Sequence, residues 1–250
     1  MYARVGENVS ALAKVEFKIK RYMITIETIK QRHSVRRYLA KPIADDIRQQ
    51  LLQEIAQCNQ QSGLHIQLVT DEPKAFSGLL SYGKFSGVQH YLVMAGRPSA
   101  DFEEKVGRYG EHLVLFAQSL GLNTCWVGLT YRKVGHAFTL AEGEKVRCVI
   151  AIGYGESAGF AHKIKTIGQV SNANDSSPAW FVRGIEAALL APTAVNQQKF
   201  HFELMPQQRD GKPVVKANTT FSMIGYTKLD LGIAKLHFEI GAGKENFVWA

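Results

Sequence analysis

Within five residues, the run Arg32-His33-Ser34-Val35-Arg36 offers two guanidinium groups, an imidazole and a hydroxyl, and Arg37-Tyr38 follow directly. A phosphate monoester is the ligand this set suits. Arginine presents a planar fork of donors matched to phosphate oxygens, and serine adds a short neutral donor. The preceding segment has apolar residues at Ile24, Ile26 and Ile29. If Thr25 to Gln31 is helical, Arg32 and Arg36 lie four residues apart and can converge on one ligand. A solvated basic run has the same composition, so the rest of the chain has to decide between the two readings.

The chain has 250 residues, 46% of them hydrophobic and 21% charged, which is ordinary for a globular protein with a sizeable core. Its net charge of +8 favours anionic ligands. A nucleic-acid interface would interleave basic residues with aromatics on one face. The basic residues here are dispersed, so no nucleic-acid partner is expected. No apolar run approaches the roughly 20 residues that span a bilayer, so no membrane partner is expected either. Cys58, Cys125 and Cys148 are odd in number and lack metal-ligand spacing; they read as reduced thiols of a cytoplasmic protein. Residues 1–22 carry scattered basic residues without the apolar core of a signal peptide. They are expected to be a disordered extension ahead of Met23.

Two segments echo each other about half a chain apart. A helical pattern with Ile47, Leu51, Leu52, Ile55 and Ala56, opened by Asp45 as N-cap, leads through Asn59-Gln60-Gln61 to an alternating strand, Leu64-His65-Ile66-Gln67-Leu68. A second, with Phe181, Ile185, Ala188 and Leu189, leads through Asn196-Gln197-Gln198 to Phe200-His201-Phe202-Glu203-Leu204. His65 and His201 sit on the polar side of these strands and read as solvated or structural. Helical spacing then covers Phe102 to Leu120, closed by Gly121 and followed by Thr124-Cys125-Trp126. It covers Leu229 to Ile240 as well, closed by Gly241 and followed by Phe247-Val248-Trp249. Glycine just past a helix is the usual left-handed cap. Two such pairs in the same order imply two related half-domains, residues 23–169 and 179–250, with polar 170–178 as linker. Gly153, Gly155 and Gly159 follow a strand, but no acidic residue stands where a dinucleotide fingerprint needs one.

These residues bring the chain close to a known family. The block from Arg32 to Tyr38, followed by Pro42, resembles the N-terminal motif of FMN-dependent nitroreductases. Ala191-Pro192-Thr193-Ala194-Val195-Asn196-Gln197 resembles their second motif. Gly121 to Gly128 is similar to the segment whose backbone faces the flavin ring, and Gly153 to Glu156 with His162 to Lys165 is similar to a strand exit and basic tail that return to the phosphate. The chain departs from the family at Val127, where dimeric members often have glutamate, and at Gln198-Lys199, where Pro-Trp is common. Members are usually homodimers with flavin between subunits; this chain resembles the branch in which one polypeptide carries both halves.

The resemblance implies an α+β, nitroreductase-like fold, each half having a small, mainly antiparallel sheet flanked by helices. It implies FMN held by Arg32, His33, Ser34, Arg36, Trp126, Val127, Gly128, Leu129, His162, Lys163, Lys165, Pro192, Thr193, Ala194 and Asn196. No metal and no side-chain acid or nucleophile is expected, because the cofactor carries the chemistry. NADH or NADPH would be the transient reductant, and a small nitroaromatic or quinone-like electron acceptor the oxidant, in ping-pong order. The chain is expected to be a monomer, an internal pseudo-dimer. Binding FMN without turnover, as a sensor, carrier or flavin-cleaving relative, is the alternative.

Overall fold

Thr25 opens the first helix through a reciprocal capping box with Thr28, which satisfies two of the amide donors a helix start leaves free. The computed structural model describes residues 24–77 and 84–250; the N-terminal segment 1–22, expected to be disordered, lies outside them. In chain order the helices are α1 (Ile26–Gln31), α2 (Asp45–Ser62), α3 (Phe102–Ser119), α4 (Ile167–Val170), α5 (Ala179–Leu189) and α6 (Thr227–Ala242). The strands are β1 (Gln67–Val69), β2 (His90–Gly96), β3 (Asn123–Val127), β4 (Lys145–Gly153), β5 (Phe200–Arg209), β6 (Lys212–Thr219) and β7 (Val248–Trp249). None of the described helices is long and apolar enough to cross a membrane.

The strands form two sheets, in the orders β1-β2-β4-β3 and β5-β6-β7. All neighbours in the first are antiparallel, so β3 runs parallel to β2 with β4 between them. In the second, β5 and β6 form an antiparallel hairpin, and β7 joins β6 in parallel. The order helix, strand, strand, helix, strand occurs twice, and β7 has the direction relative to β6 that β3 has relative to β2. The fold is α+β with mainly antiparallel sheets. Every residue of β2 is buried, because this strand lies inside its sheet. In the second half, Phe181, Phe200, Phe202, Phe238 and Phe247 make an aromatic core, with Phe202 stacked on Phe238 at 4.8 Å.

The halves meet where α3 crosses α6. A Cβ on Gly107 would land on the Leu229 carbonyl and crowd the Ile233 nitrogen; one on Gly232 would land on the Glu104 carbonyl and crowd the Arg108 nitrogen. Leu229 precedes Gly232 by the same interval that Glu104 precedes Gly107. The contact is therefore reciprocal, as across a two-fold axis.

Several local expectations need correction. Asp45 is the first residue of α2 rather than its cap; Ala44 holds that place, and Asp45 pairs with Arg48 instead. Gly121 is left-handed as expected (φ 80°), but Gly241 lies inside α6 and the helix stops at Gly243 (φ 78°). Gly241 is small for packing, since a Cβ there would meet Ala187 and the Arg183 carbonyl of α5. In the segment 170–178, Val170 ends α4, Ser171 bridges to Phe202, and Asn174 folds a turn onto Ser176.

Candidate functional site

The helix expected to bring Arg32 and Arg36 together ends at Gln31. Arg32 is already extended (φ −74°, ψ 116°), and the chain beyond it is bound on three sides. Ser34 bridges to Thr124 of β3, Arg37 to Ser86, and Tyr38 to Gly155 beyond β4. Val35 and Tyr38 fill the core. In an extended segment alternate residues share a side, and Ser34 and Arg36 both line a cavity of about 580 Å³.

Arg32 turns inward instead. It is 3% exposed, its Nε lies 3.5 Å from Glu111 Oε1 of α3, and its guanidinium donates to the Leu190 carbonyl at 3.3 Å. The fully buried Glu111 also accepts from Trp126 Nε1 at 2.8 Å and meets His237 Nε2 of α6 at 2.9 Å. The His237 Nδ1 faces the Ala187 carbonyl at 3.2 Å, so that nitrogen carries a hydrogen. Burial lowers the pKa of Arg32, and the Glu111 charge opposes the shift. One carboxylate thus ties the first motif, β3, α3 and α6 together beneath the cavity.

The second half contributes to the same cavity. Pro192, Thr193, Ala194 and Val195 line it together with Ser34, Arg36 and Trp126 to Thr130 at the end of β3. Val195, Asn196 and Gln198 have positive φ (46°, 57° and 45°), a conformation that costs about 1–3 kcal/mol at each non-glycine residue. Hydrogen bonds over-determine the loop. Asp230 of α6 accepts from the Ala194 amide at 3.1 and 3.2 Å and from Gln197 Nε2 at 2.7 Å. The Lys163 carbonyl accepts from Asn196 Nδ2 and Gln198 Nε2, both at 2.8 Å. Lys165 Nζ donates to the Gln197 and Gln198 carbonyls at 3.1 and 2.7 Å.

Of the residues singled out from the sequence, Ser34, Arg36, Trp126, Val127, Gly128, Leu129, Pro192, Thr193 and Ala194 line the cavity. Arg32, His33, His162, Lys163, Lys165 and Asn196 are not among its lining residues. His33 packs beneath the loop at Gly159. His162 faces the Leu189 carbonyl at 3.1 Å. Burial lowers the pKa of both histidines, and the Arg32 charge adds to it. The basic tail 162–165 therefore braces the second motif rather than facing the cavity.

Sequence reasoning missed Lys84, Phe85, Tyr226, Asp230 and Ile233, all of which line the cavity. No local pattern marks them; Asp230 and Ile233 sit in an ordinary amphipathic helix. Tyr226 has φ 62° and rests beneath the Arg147 guanidinium, 3.9 Å from its ring centre. Any side chain at Gly128 would strike its hydroxyl.

Chemically the cavity is a binding site. Arg36 and Lys84 are exposed, and neither side chain has a hydrogen bond or ion pair among the described residues. Leu129, Val195 and Ile224, 76%, 74% and 53% exposed, make its mouth apolar. Burial pushes the Cys125 thiol up and the Cys148 thiol up to about 12, so neither is the thiolate that nucleophilic catalysis needs. Asp230, raised by burial to about 6, is occupied with the loop.

A family model described as "Putative TM nitroreductase" matches residues 24–242. The chain belongs to the TM nitroreductase family. Its fold is similar to that of a Thermotoga maritima protein described as a putative nitroreductase, with 22% identity, 90% of this chain and 86% of that one covered, and a TM-score of 0.58. Lower overlaps relate it to an FMN-dependent nitroreductase from Clostridium difficile (18% identity, 62% and 95% covered, TM-score 0.42). Another is with an NADPH:FMN oxidoreductase from Vibrio harveyi (20% identity, 62% and 79% covered, TM-score 0.47). No curated protein sequence matches the chain. For a TM nitroreductase family member, the observation that counts is that one cavity joins both motifs.

Proposed function

We propose that this cavity binds FMN and that the protein is an NAD(P)H-dependent flavin oxidoreductase reducing small nitroaromatic or quinone-like acceptors. The observation that carries the reading is that Ser34 and Arg36 line one cavity with Pro192, Thr193 and Ala194 and with the end of β3. The residues present fit the group. The volume is that of a small-molecule site, the Arg36 and Lys84 side chains have no hydrogen bond or ion pair among the described residues, and the small residues of the second motif leave room for a flat ring.

Arg36, Lys84 and Ser34 would hold the phosphate. Charge-assisted hydrogen bonds contribute about 1.5–3 kcal/mol each, whereas micromolar to nanomolar binding needs about 8–12 kcal/mol. Burial of the ring between Pro192–Ala194 and Trp126–Leu129 must supply the remainder. Bound FMN supplies two-electron transfer between a nicotinamide donor and an acceptor that take turns at the apolar mouth. The protein's part is to hold the ring, exclude water and keep the walls rigid through Asp230 and Glu111.

In this reading residues 23–169 and 179–250 are the two halves of a pseudo-dimer joined by 170–178, and the protein works as a monomer in the cytoplasm. The reciprocal glycine contact of α3 and α6 supports it, as do the free thiols of Cys58, Cys125 and Cys148 for a reducing compartment.

Purified protein mixed with FMN should turn yellow, retain the colour on desalting, and bleach with NADH or NADPH without air. Initial rates at varied donor and acceptor should give parallel double-reciprocal lines. Arg36→Ala should weaken FMN binding about ten- to a hundredfold with unchanged thermal stability. Failure to retain FMN would overturn the cofactor assignment. Retention without bleaching would leave a flavin-binding protein that does not turn over.

A further inference from the structure

Away from the cavity, on the outer side of the first half, α2 and α3 bring together three side chains that the flavin reading does not use. Glu54 and Cys58 lie one turn apart on α2, and His112 faces them from α3. His112 Nε2 is 2.6 Å from Glu54 Oε1. The carboxylate oxygen, the Cys58 sulfur and the imidazole nitrogen all lie within 4.8 Å of one another. Cys58 is buried against the core, while the Glu54 and His112 side chains are 20% and 34% exposed. The triangle therefore has a closed floor at the sulfur and an open side towards water.

From this geometry we propose that Glu54, Cys58 and His112 form a Zn²⁺ site. The ligand set selects the ion. Calcium and magnesium take oxygen ligands, whereas thiolate, imidazole and carboxylate together suit zinc. Zinc bonds of about 2.0–2.3 Å in a tetrahedron place donor atoms roughly 3.3–3.7 Å apart. Reaching that spacing asks the sulfur to close in by about 1 Å and the Glu54–His112 contact to open by somewhat less, changes within reach of side-chain rotation. An i, i+4 pair on one helix with a third ligand from its neighbour lets the ion tie α2 to α3. Three protein ligands leave the fourth position to water, on the exposed side. On binding, the Cys58 sulfur exchanges its proton for a bond to zinc and the proton passes to solvent. His112 Nε2 offers its lone pair, so its ring hydrogen sits on Nδ1; no electron changes hands.

The site stands independently of the flavin cavity and is tested without reference to activity. Chelator-treated protein is titrated with Co²⁺, a coloured stand-in for zinc, and the spectrum is followed in the red, clear of flavin absorption, and in the near ultraviolet for thiolate-to-cobalt charge transfer. The expected result is a stoichiometric tetrahedral spectrum with a thiolate band, bleached by Zn²⁺. Cys125→Ser and Cys148→Ser should keep it. Cys58→Ser should lose the thiolate band, and His112→Ala and Glu54→Gln should each weaken Co²⁺ binding about tenfold or more. If Cys58→Ser does not fold, His112→Ala, at a half-exposed position, decides with a second readout: Zn²⁺ should slow Cys58 alkylation in the unsubstituted protein but not in His112→Ala. Absence of the thiolate band in the unsubstituted protein, a band that persists in Cys58→Ser, or an unchanged Co²⁺ affinity in His112→Ala would overturn the proposal.

Discussion

Asp230→Asn should remove a pH dependence of stability that this carboxyl gives the protein. Asp230 is 2% exposed, and burial raises its pKa from 3.8 to about 6, against the opposing hydrogen bonds from Gln197 and Ala194 and the charge of Arg147. A carboxyl whose pKa is higher folded than unfolded keeps its proton more tightly in the native state. Between the two pKa values stability therefore falls as pH rises. Each pKa unit is worth about 1.4 kcal/mol, so ionised Asp230 costs the fold about 3 kcal/mol above pH 6. Asparagine cannot ionise and lacks this dependence. Urea denaturation of flavin-free protein, followed by circular dichroism, gives the unfolding free energy of each form from about pH 4 to pH 7. The stability of the Asp230 protein relative to the asparagine variant should fall by about 2.4 kcal/mol across that range, the rest having been lost below pH 4. All other titrating groups largely cancel in the difference. A flat difference would refute the argument, and one that rose with pH would mean that the Ala194 and Gln197 donors outweigh burial.

Gly107→Ala and Gly232→Ala should each destabilise the protein by at least about 1–3 kcal/mol in urea, because the added methyl group meets backbone that cannot rotate away. The losses should be similar, as the contact is reciprocal; a tolerated alanine at either would argue against the crossing. Glu111→Gln should cost about 3–5 kcal/mol, since it leaves the buried Arg32 guanidinium without its counter-charge. An unchanged urea midpoint would show that Arg32 is compensated elsewhere. Arg32→Ala should act mainly through the same network and lower thermal stability, in contrast to Arg36→Ala, whose effect should fall on FMN binding alone.

Local order was readable where periodicity and punctuation agree. The apolar stripe of Val106, Leu113 and Val114 and the left-handed Gly121 place α3 to within a residue of its observed end. The repeated pattern of helix, strand, helix and strand anticipated the doubled order of elements. Gly241 misled because glycine has two uses. A cap and a close helix contact look alike in one dimension, and the choice depends on α5, which packs against it. The β5–β6 hairpin runs farther than the Phe200–Leu204 alternation, as far as the Asp210-Gly211 turn, with φ of 53° and 74°. Asp210-Gly211 is a hairpin signal in its own right, but the alternating apolar pattern stops before reaching it.

By itself the sequence determined which chemistry was on offer: an arginine and serine run suited to phosphate, a small-residue loop suited to a flat ring, and the doubling of the pattern. Tertiary structure decided how that chemistry was shared out. Arg32 and Arg36 are equivalent in composition. Because α1 ends before them, Arg32 is drawn to a carboxylate inside the protein and Arg36 lines the cavity. The same is true of Lys163 and Lys165, which resemble phosphate ligands in the sequence but brace a strained loop in space. Glu54 and Cys58 are paired by one turn of α2, but His112 joins them only because α2 packs on α3. Residue type and spacing set what a group can bind, but charges and hydrogen bonds act over a few ångströms, and which groups come that close is decided by packing between distant segments.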